Sequence, residues 1–308
     1  MILLTGATGL VGGELLPILL SEGHDVRVLV RDPRRLGANR VNVQISLGDL
    51  ADPFSMRHAL RGVDTVIHLA ATIRDQPAGS IEELNGLATC RLLRSAVRVG
   101  IERFVFFSAI NATEFQRTRF FQAKALAERA VLDAELNGIV MALSIVYGLG
   151  DPWISLLERL SLLPVMPISG TGQALYEPIW ARDVASCVAG ALNGRAENSG
   201  EPAGEGGRRF ELAGPEVLSY DRIVEEVLGV LGRSRPMVHV PLPAVRAGLR
   251  ALELIEGRDA FATWDEAELM EVPMKSKRGP ADARALGVDP QPFAEVLSGG
   301  GRPHAGQS

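Results

Sequence analysis

The chain has 308 residues, 46% of them hydrophobic and 5% aromatic, and its formal net charge is −5 at pH 7. That length and apolar content are enough to bury one large core or the cores of two closely joined domains. The acidic balance, without a basic stripe interleaved with aromatic residues, argues against a nucleic-acid-binding protein. The two cysteines and five histidines show no ligand spacing, so neither a metal site nor a disulfide framework is predicted. A single bridge between Cys90 and Cys187 stays open as an alternative.

The start of the chain and its hydropathy bear on the compartment. Met1 to Thr5 already has the pattern of a strand, and no run reaches the roughly 18 uncharged apolar residues that a membrane span needs. We therefore expect a cytoplasmic protein.

Short apolar runs alternate with helical periodicity over residues 1–150. The predicted strands are Ile2–Thr5, Val26–Val30, Val41–Ser46, Thr65–Ala70, Arg103–Ser108 and Val140–Val146. The predicted helices are Val11–Ser21, Ser55–Arg61, Ile81–Val99 and Arg119–Asn137. This alternation predicts parallel strands joined by right-handed crossovers, which is a doubly wound α/β sheet.

The order of elements loosens after residue 150. Residues 151–297 are predicted to form a smaller α/β lobe for a substrate or a partner, and part of its strands and helices is equally compatible with a place in the first domain. The stretch Arg195–Arg208 is rich in Gly, Glu and Pro and is expected to be an exposed, mobile loop. Residues 298–308 are expected to be a disordered tail. The segment Ala244–Ile255 is amphipathic, so we expect it to pack, with contact to a membrane surface as the less favoured alternative.

Three glycines stand between the first predicted strand and the first predicted helix. Gly6 permits a tight turn, Gly9 lets a pyrophosphate approach the backbone, and Gly12 lets the helix pack close to the sheet. The helix that follows offers free N–H groups and a partial positive charge to a phosphate. This context favours a dinucleotide-binding turn over an ordinary structural one. The predicted cofactor-binding residues of the turn are Gly6, Thr8, Gly9, Leu10, Val11 and Gly12.

The residues after the second strand select between the two nicotinamide cofactors. An acidic residue at the strand end would bind the ribose hydroxyls of NAD, but Arg31 holds that position and Arg35 follows closely. A guanidinium matches a 2′-phosphate in geometry and charge. The sequence therefore favours NADP(H), while NAD(H) stays possible because Asp32 can take the ribose. A solvated basic loop is the alternative without a cofactor.

Several segments, in the right order, resemble the extended and atypical short-chain dehydrogenase/reductase superfamily. Within it the chain is most similar to the NmrA-like proteins and to the branch related to the 39-kDa accessory subunit of respiratory complex I. The matching segments are Thr5–Gly12, Gly48–Leu50, His68–Ala71, Asn85 with Ala88 and Thr89, Tyr147–Asp151, and Pro178–Ala185. The resemblance implies a Rossmann-type domain with a smaller C-terminal substrate lobe. It also implies cofactor contacts from Asp49, Leu50, Leu69, Ala70 and Ala71, and an Asp183 that anchors backbone.

The resemblance also implies a catalytic Tyr with a Lys four residues later, and a Ser on the preceding strand. Lys124 and Ser108 are present and are the predicted catalytic residues, but Phe120 occupies the tyrosine position. Phenylalanine has no proton to donate, so the usual acid is absent. Lys124 is further expected to bind the ribose of the cofactor. The alternatives are a solvated helical lysine and a plain serine at a strand end.

Two functions follow from these observations. One is an NADPH-dependent oxidoreductase that acts on a small or quinone-like substrate without the tyrosine. The other is a non-catalytic NADP(H)-binding sensor or an assembly protein. The expected partner is accordingly a small-molecule substrate or another protein, and epimerase chemistry is disfavoured because it uses the missing tyrosine.

Overall fold

The computed structural model describes residues 1–148, 150–198, 201–203, 207–256 and 263–300. The strands are β1 (Ile2–Thr5), β2 (Val26–Val30), β3 (Gln44–Leu47), β4 (Thr65–His68), β5 (Arg103–Ala109), β6 (Asn137–Leu143), β7 (Val146–Tyr147), β8 (Met166–Ser169), β9 (Leu175–Tyr176), β10 (Ile179–Trp180), β11 (Glu201–Ala203), β12 (Gly207–Leu212), β13 (Leu218–Ser219) and β14 (Met237–Val240). The helices are α1 (Leu10–Ser21), α2 (Pro53–Ala59), α3 (Ala88–Val99), α4 (Arg119–Leu132), α5 (Pro152–Leu160), α6 (Ala181–Leu192), α7 (Tyr220–Val230), α8 (Leu242–Glu256), α9 (Trp264–Leu269), α10 (Ala281–Ala285) and α11 (Phe293–Glu295). In this part of the chain no helix combines the length and the apolar character that crossing a bilayer requires.

Eight strands form the main sheet, in the order β11-β12-β6-β5-β4-β1-β2-β3. The strands from β12 to β3 are all parallel to their neighbours, and β11 pairs antiparallel with β12 at the edge. The predicted doubly wound α/β fold is thus confirmed. The chain order reverses at β1, which has β2 on one side and β4 on the other. The crevice at the carboxyl ends of these strands is where doubly wound sheets bind nucleotides.

Helices cover both faces of the sheet. α1 and α6 pack on one face, around residues such as Leu19 and Val188, and α2, α3 and α4 cover the other, around Leu92 and Ala127. All residues of β1 and β4 are buried, as expected of central strands that are covered on both sides. This double cover explains why these strands are continuous apolar runs rather than alternating patterns.

The later half of the chain forms a smaller lobe and also returns to the sheet through β12. Its apolar cluster includes Tyr147, Tyr176 and Phe293. Residues 270–278, here called the strap, fasten the lobe to the ends of the sheet strands. The Asn111 amide donates to the Pro273 carbonyl at 2.6 Å, just beyond β5.

Several predicted boundaries differ from those of the structure, and two of the differences have a clear physical reason. The strand predicted at Val41–Ser46 begins only at Gln44, because Pro33–Asn42 forms two short 3₁₀ turns that meet at a kink at Gly37, the first of them capped by Asp32. The helix predicted to end at Asn137 ends at Leu132, and β6 begins at Asn137 instead of Val140. Because a Cβ at Gly138 would lie 2.6 Å from the Val131 oxygen, the glycine allows β6 to turn back directly over α4.

The loop predicted at Arg195–Arg208 is also wrong where the structure describes it. Residues Arg195–Asn198 form a 3₁₀ helix, and β11 pairs with β12 as a hairpin that extends the sheet. Backbone pairing at a sheet edge does not depend on the polar composition that favoured a loop. Residues 199, 200 and 204–206 lie outside the described residues, as do residues 301–308 of the tail predicted at 298–308. The first three residues of that predicted tail, 298–300, belong to the helical turn Val296–Gly300.

Candidate cofactor and active site

The turn between β1 and α1 packs against the backbone that follows β4. Gly6 has a φ of +80°, and a Cβ there would lie 2.6 Å from the Ala70 nitrogen. A Cβ at Gly12 would lie 2.2 Å from the Gly6 oxygen. Any side chain at either position would collide with backbone, so both are restricted to glycine. Gly9 is exposed and faces solvent at the helix start.

The helix that leaves this turn has an open N-terminus. Gly9 is its N-cap, and within the described residues no side chain caps it and no acid lies in its first turn. Unpaired N–H groups and the helix dipole together attract an anion. Thr8, Leu10 and Val11 are half-buried beside these groups. The glycine cradle and the open helix end therefore fit a pyrophosphate.

The predicted cofactor-selecting residues lie together beside the turn, at the ends of β2 and β3. Arg31 is 62% exposed, and its guanidinium is 3.9 Å from the Asp49 carboxylate. The other Asp49 oxygen accepts the Ala51 N–H at 3.0 Å. Leu50 is half-buried next to them. This edge offers a guanidinium and a carboxylate to the adenosine end of a dinucleotide.

The carboxylate of the neighbouring Asp32 is already bound by Arg34. Its carboxylate accepts the Arg34 N–H at 3.0 Å and the Arg34 guanidinium at 2.9 and 3.0 Å. The hydrogen bonds from Arg34 lower the pKa of Asp32. The exposed Arg35 side chain has neither a hydrogen bond nor an ion pair to any described residue. Arg31 and Arg35 are thus the guanidinium groups available to an anion here.

The residues predicted to line the cofactor after β4 lie against the glycine turn. The Leu69 N–H donates to the Thr5 carbonyl at 3.1 Å, and the Ala70 nitrogen faces Gly6. Ala71 is exposed at the crevice. The structure therefore brings Leu69 and Ala70 together with the phosphate-binding turn.

Asn85 holds the next part of this loop. It lies buried in a π-helical turn, Glu83–Leu87, that continues into α3. Its Oδ1 accepts the Thr72 N–H at 3.1 Å, and its Nδ2 donates to the Thr72 and Ile81 carbonyls at 2.8 Å. π-turns of this kind recur at functional sites, where they re-aim one side chain. Here the turn directs the Asn85 amide at the backbone of Thr72, and its hydrogen bonds hold the loop after β4 in place.

A buried chain of hydrogen bonds connects β1, β4 and α3 through His68. Thr89 Oγ1 donates to the Asn85 carbonyl at 2.7 Å, so it accepts from His68 Nε2 at 2.9 Å. His68 Nδ1 then accepts from the Thr5 hydroxyl at 2.7 Å. Burial, reinforced by the Lys124 charge, lowers the pKa of His68 to about 3. The imidazole is therefore a neutral structural connector directly behind the cofactor turn.

Lys124 is buried, which excludes the solvated lysine considered above. Its Nζ donates to the Phe107 carbonyl at 2.7 Å and lies 4.9 Å from the ring centre of Phe106 and 5.6 Å from that of Phe120. Burial lowers the pKa of Lys124 to about 7, although the Glu128 carboxylate favours the charged form. Such a strongly perturbed group in a crevice is typical of a functional site.

Ser108 lies directly after the carbonyl that binds Lys124, so the two predicted catalytic residues meet at the end of β5. The Ser108 hydroxyl is buried and lacks a hydrogen-bond partner among the residues that the structure describes. Buried hydroxyls are normally paired, so an orphan of this kind points to a ligand group. Phe120, half-buried one helical turn before Lys124, places a ring where the resemblance implies a phenol.

A cluster of ion pairs lies at the rim of this crevice and was not predicted. Arg119, next to Phe120, contacts Asp75 at 3.0 Å, Asp265 at 3.6 Å and both oxygens of Glu82. The hydrogen bonds from Arg119 lower the pKa of Glu82 to about 2. Asp75 is thereby engaged as an ion-pair partner. The second rim contact joins Arg74 to Glu266 on α9 at 2.6 Å.

Tyr147 and Tyr176 are placed as structural residues of the smaller lobe and do not replace the missing acid. Tyr176 donates its hydroxyl to the Met270 carbonyl, and Tyr147 is buried against Phe293 with ring centres 4.7 Å apart. Burial raises the pKa of both hydroxyls. The Asp183 carboxylate accepts the Gln291 N–H at 2.9 Å, so its predicted role as a backbone anchor is confirmed.

The sequence carries a signal for the hydrogen bond between Thr89 and Asn85 but none for the ion pairs at the rim. Asn85 lies four residues before Thr89, the spacing that joins them on one helix face. The rim cluster carries no local signal, because the two residues of its Arg74–Glu266 contact are 192 positions apart.

Comparisons with known proteins agree with this site. A sequence model of a family described as NAD(P)H-binding matches residues 6–139. Over 307 residues the chain is 28% identical to a (4-alkanoyl-5-oxo-2,5-dihydrofuran-3-yl)methyl phosphate reductase of Streptomyces griseus, with 96% of each protein covered. It is 26% identical to the mitochondrial NADH dehydrogenase (ubiquinone) 1 alpha subcomplex subunit 9 of Arabidopsis thaliana, over 79% of the chain and 60% of the plant protein. That match spans less than two thirds of the plant relative.

Solved structures share the whole fold. A UDP-glucose 4-epimerase of Thermus thermophilus in complex with NAD has a TM-score of 0.69 at 20% identity, with 96% of each chain covered. An NADPH-dependent quinone oxidoreductase of Escherichia coli has a TM-score of 0.70 at 15% identity, with 97% of this chain and 99% of that chain covered. At such identities the likeness shows the fold alone. The NAD(P)H-binding match over residues 6–139 and the complex I relative agree with the resemblance of this chain to the atypical short-chain dehydrogenase/reductase superfamily.

Proposed function

We propose that this protein binds NADPH in preference to NADH and reduces a small, electron-poor substrate, a quinone or an activated alkene, without a tyrosine acid. The observation that carries the proposal is Phe120, one turn before the buried Lys124, beside an otherwise complete cofactor turn. A site that lacks the acid is suited to substrates that need no proton during hydride transfer.

The preference for NADPH rests on the charges at the ends of β2 and β3. Arg31 and Arg35 are exposed, whereas the Asp32 carboxylate is taken by Arg34. A 2′-phosphate pairs with guanidinium groups, and a ribose diol needs a free carboxylate acceptor. Asp49 is the remaining acid at this edge, and it already faces Arg31 at 3.9 Å.

Lys124 and Ser108, which lie near the end of β5, have separate roles in the proposed reaction. A bound reduced nicotinamide supplies the hydride. Lys124 holds the ribose of the cofactor through its ammonium, and the orphan Ser108 hydroxyl donates a hydrogen bond to the substrate oxygen that gains negative charge. In a quinone or a conjugated alkene that charge is delocalised onto oxygen, so a proton from water can follow the hydride. A simple ketone would form a localised alkoxide and would need the missing acid.

The Streptomyces relative supports this substrate class. Its substrate name describes a dihydrofuranone with an alkanoyl group, which is an electron-poor ring system, and it matches the chain over nearly its full length. The named activity belongs to that relative and enters here as support for a reductase of conjugated substrates.

The test is a fluorescence titration with NADPH and NADH, followed by an assay of NADPH oxidation. We expect tighter binding of NADPH, and a loss of about tenfold to a hundredfold in Arg31→Ala, since a charge-assisted hydrogen bond contributes about 1.5–3 kcal/mol. Arg40→Ala, in the same basic segment, is the matched control and should bind as the unmodified protein does. Quinones and enones should be reduced faster than simple ketones. Preference for NADH, or equal rates for ketones, would contradict the proposal.

A second function has its own support. A non-catalytic NADP(H)-binding assembly or sensor protein would also have Phe120, and the Arabidopsis relative is named as a subunit of a larger enzyme. Tight NADPH binding without oxidation by any quinone or enone would favour this alternative.

A further inference from the structure

α8 and α9 form a groove on the surface of the smaller lobe. Its volume is about 490 Å³, and it is lined by Leu242, Pro243, Arg246, Ala247, Arg250 and Trp264. Small-molecule sites usually enclose roughly 300–1,000 Å³, so the groove has room for one ligand.

The groove is cationic on one side. Arg246 and Arg250 are exposed one helical turn apart on α8, and the Arg246 guanidinium lies 5.2 Å from the ring centre of Trp264. Neither guanidinium has a hydrogen bond or an ion pair to a carboxylate of the described residues. Two such cations in a chain of net charge −5 favour an anionic ligand.

The rest of the groove is apolar. Leu242, Pro243 and Ala247 offer hydrocarbon surface beside the Trp264 ring. A ligand that complements both parts has an anionic group at one end and an apolar chain at the other.

The exposed residues of the described part of α8, residues 242–250, favour a single molecule over a bilayer. Between its two arginines and before them, the exposed positions are small or compact, namely Pro243, Ala244, Ala247 and Gly248. A helix that inserts into a membrane surface presents large apolar side chains such as Leu, Phe and Trp.

The groove adjoins the rim of the active crevice. Trp264 is followed by Asp265 and Glu266, which contact Arg119 at 3.6 Å and Arg74 at 2.6 Å. Arg119 in turn precedes Phe120. A ligand held against Trp264 therefore lies close to the ion pairs that flank Phe120.

We propose that the groove between α8 and α9 binds the anionic end of a single-chain amphiphile through Arg246 and Arg250. The molecule held there, beside the ion pairs that flank Phe120, is the substrate. The role of this molecule as the substrate rests on the proposed reductase function. Its binding in the groove does not depend on turnover.

The binding test uses dodecyl phosphate below its micelle concentration, without cofactor, by isothermal titration of the full chain. We expect saturable binding that weakens about tenfold or more in the double variant Arg246→Gln/Arg250→Gln, as expected for loss of charge-assisted contacts. The control Arg57→Gln/Arg98→Gln removes two exposed arginines on α2 and α3 and should leave the affinity unchanged. Trp264→Ala should also weaken binding.

Three outcomes would overturn the inference. These are equal binding of dodecyl phosphate by the groove variant, equal affinity for inorganic phosphate, and sedimentation with phosphatidylglycerol vesicles without binding of the monomeric amphiphile. NADPH oxidation is measured separately with a water-soluble quinone. If that assay fails while dodecyl phosphate binds through the two arginines, the reductase proposal falls and the groove stands as a binding site.

Discussion

His68 is a fully buried histidine whose ring nitrogens are both committed to threonine hydroxyls. Burial, with the Lys124 charge, lowers its pKa to about 3, whereas an unfolded histidine titrates near 6.5. Between those two values the unfolded chain binds a proton that the folded protein refuses. The free energy of unfolding must therefore fall as the pH is lowered from 6.5 towards 3.

This gives a prediction for His68→Gln, which keeps a polar side chain but does not titrate. From pH 7.5 to pH 5.0 the unmodified protein should lose about 2 kcal/mol more of its unfolding free energy than the variant does, at 1.36 kcal/mol for each pKa unit. Urea unfolding at the two pH values measures the difference. Parallel losses in the two proteins would show that His68 is protonated in the fold.

Phe120 is the residue that separates this site from a tyrosine-dependent one. Its ring centre is already 5.6 Å from Lys124 Nζ, so a phenol at this position would lie beside the ammonium that lowers phenol pKa values. We expect Phe120→Tyr to raise kcat/KM for a simple ketone by at least about tenfold, since a positioned acid contributes roughly 10²–10⁴-fold.

The matched control for this gain is Phe115→Tyr, on a side chain that is 95% exposed. It should leave ketone reduction unchanged. If Phe120→Tyr binds NADPH normally and gains no activity, the remaining groups are not arranged for carbonyl reduction.

α1 shows how two adjacent glycines can have opposite requirements. A Cβ at Gly12 would collide with the Gly6 oxygen at 2.2 Å, whereas a Cβ at Gly13 would meet no atom within 4 Å. The first glycine serves the packing of helix against turn. The second only weakens the helix, by roughly 0.5–1 kcal/mol relative to alanine.

Gly12→Ala should therefore lower the melting temperature and abolish NADPH binding, because the turn must open to admit the methyl group. Gly13→Ala should bind NADPH normally and should be equally or more stable. Differential scanning fluorimetry with and without NADPH distinguishes the two. Intact cofactor binding in Gly12→Ala would show that the turn does not need the close approach.

The strap joins the two parts of the molecule at the carboxyl ends of β5 and β6. The buried Ser144 hydroxyl donates to the Met274 carbonyl at 2.7 Å and accepts the Glu177 N–H at 3.1 Å. β12, from the later half, lies in the main sheet beside β6. The smaller lobe is thus hydrogen-bonded to the main sheet through β12, and we expect the two parts to unfold together.

Ser144→Ala should lower the free energy of unfolding by about 2–4 kcal/mol, because it leaves a buried N–H and a buried carbonyl unpaired. Unfolding should stay a single transition in circular dichroism and tryptophan fluorescence. Ser95→Ala removes one bond along α3, from its hydroxyl to the Arg91 carbonyl, and should change stability by no more than about 0.5 kcal/mol. Two separated transitions in Ser144→Ala would show that the lobe unfolds alone.

The alternation of strands and helices, the glycine turn and the absence of the tyrosine could all be predicted from the amino-acid sequence. These are local properties, since hydrophobic period and the steric needs of a turn are written within a few residues. The errors fall where the local signal conflicts with the fold. Arg195–Arg208 has the composition of a loop, but part of it pairs as an edge hairpin.

The electrostatics of the site, in contrast, depend on the folded arrangement of the chain. Burial beneath Phe106 and Phe120 lowers the pKa of Lys124 to about 7. The Ser108 hydroxyl is unpaired because no described polar group lies within hydrogen-bond distance of it. The contact between Arg74 and Glu266 joins residues 192 positions apart. Desolvation and ion pairing depend on which side chains the fold brings together, and no local pattern in the chain encodes that choice.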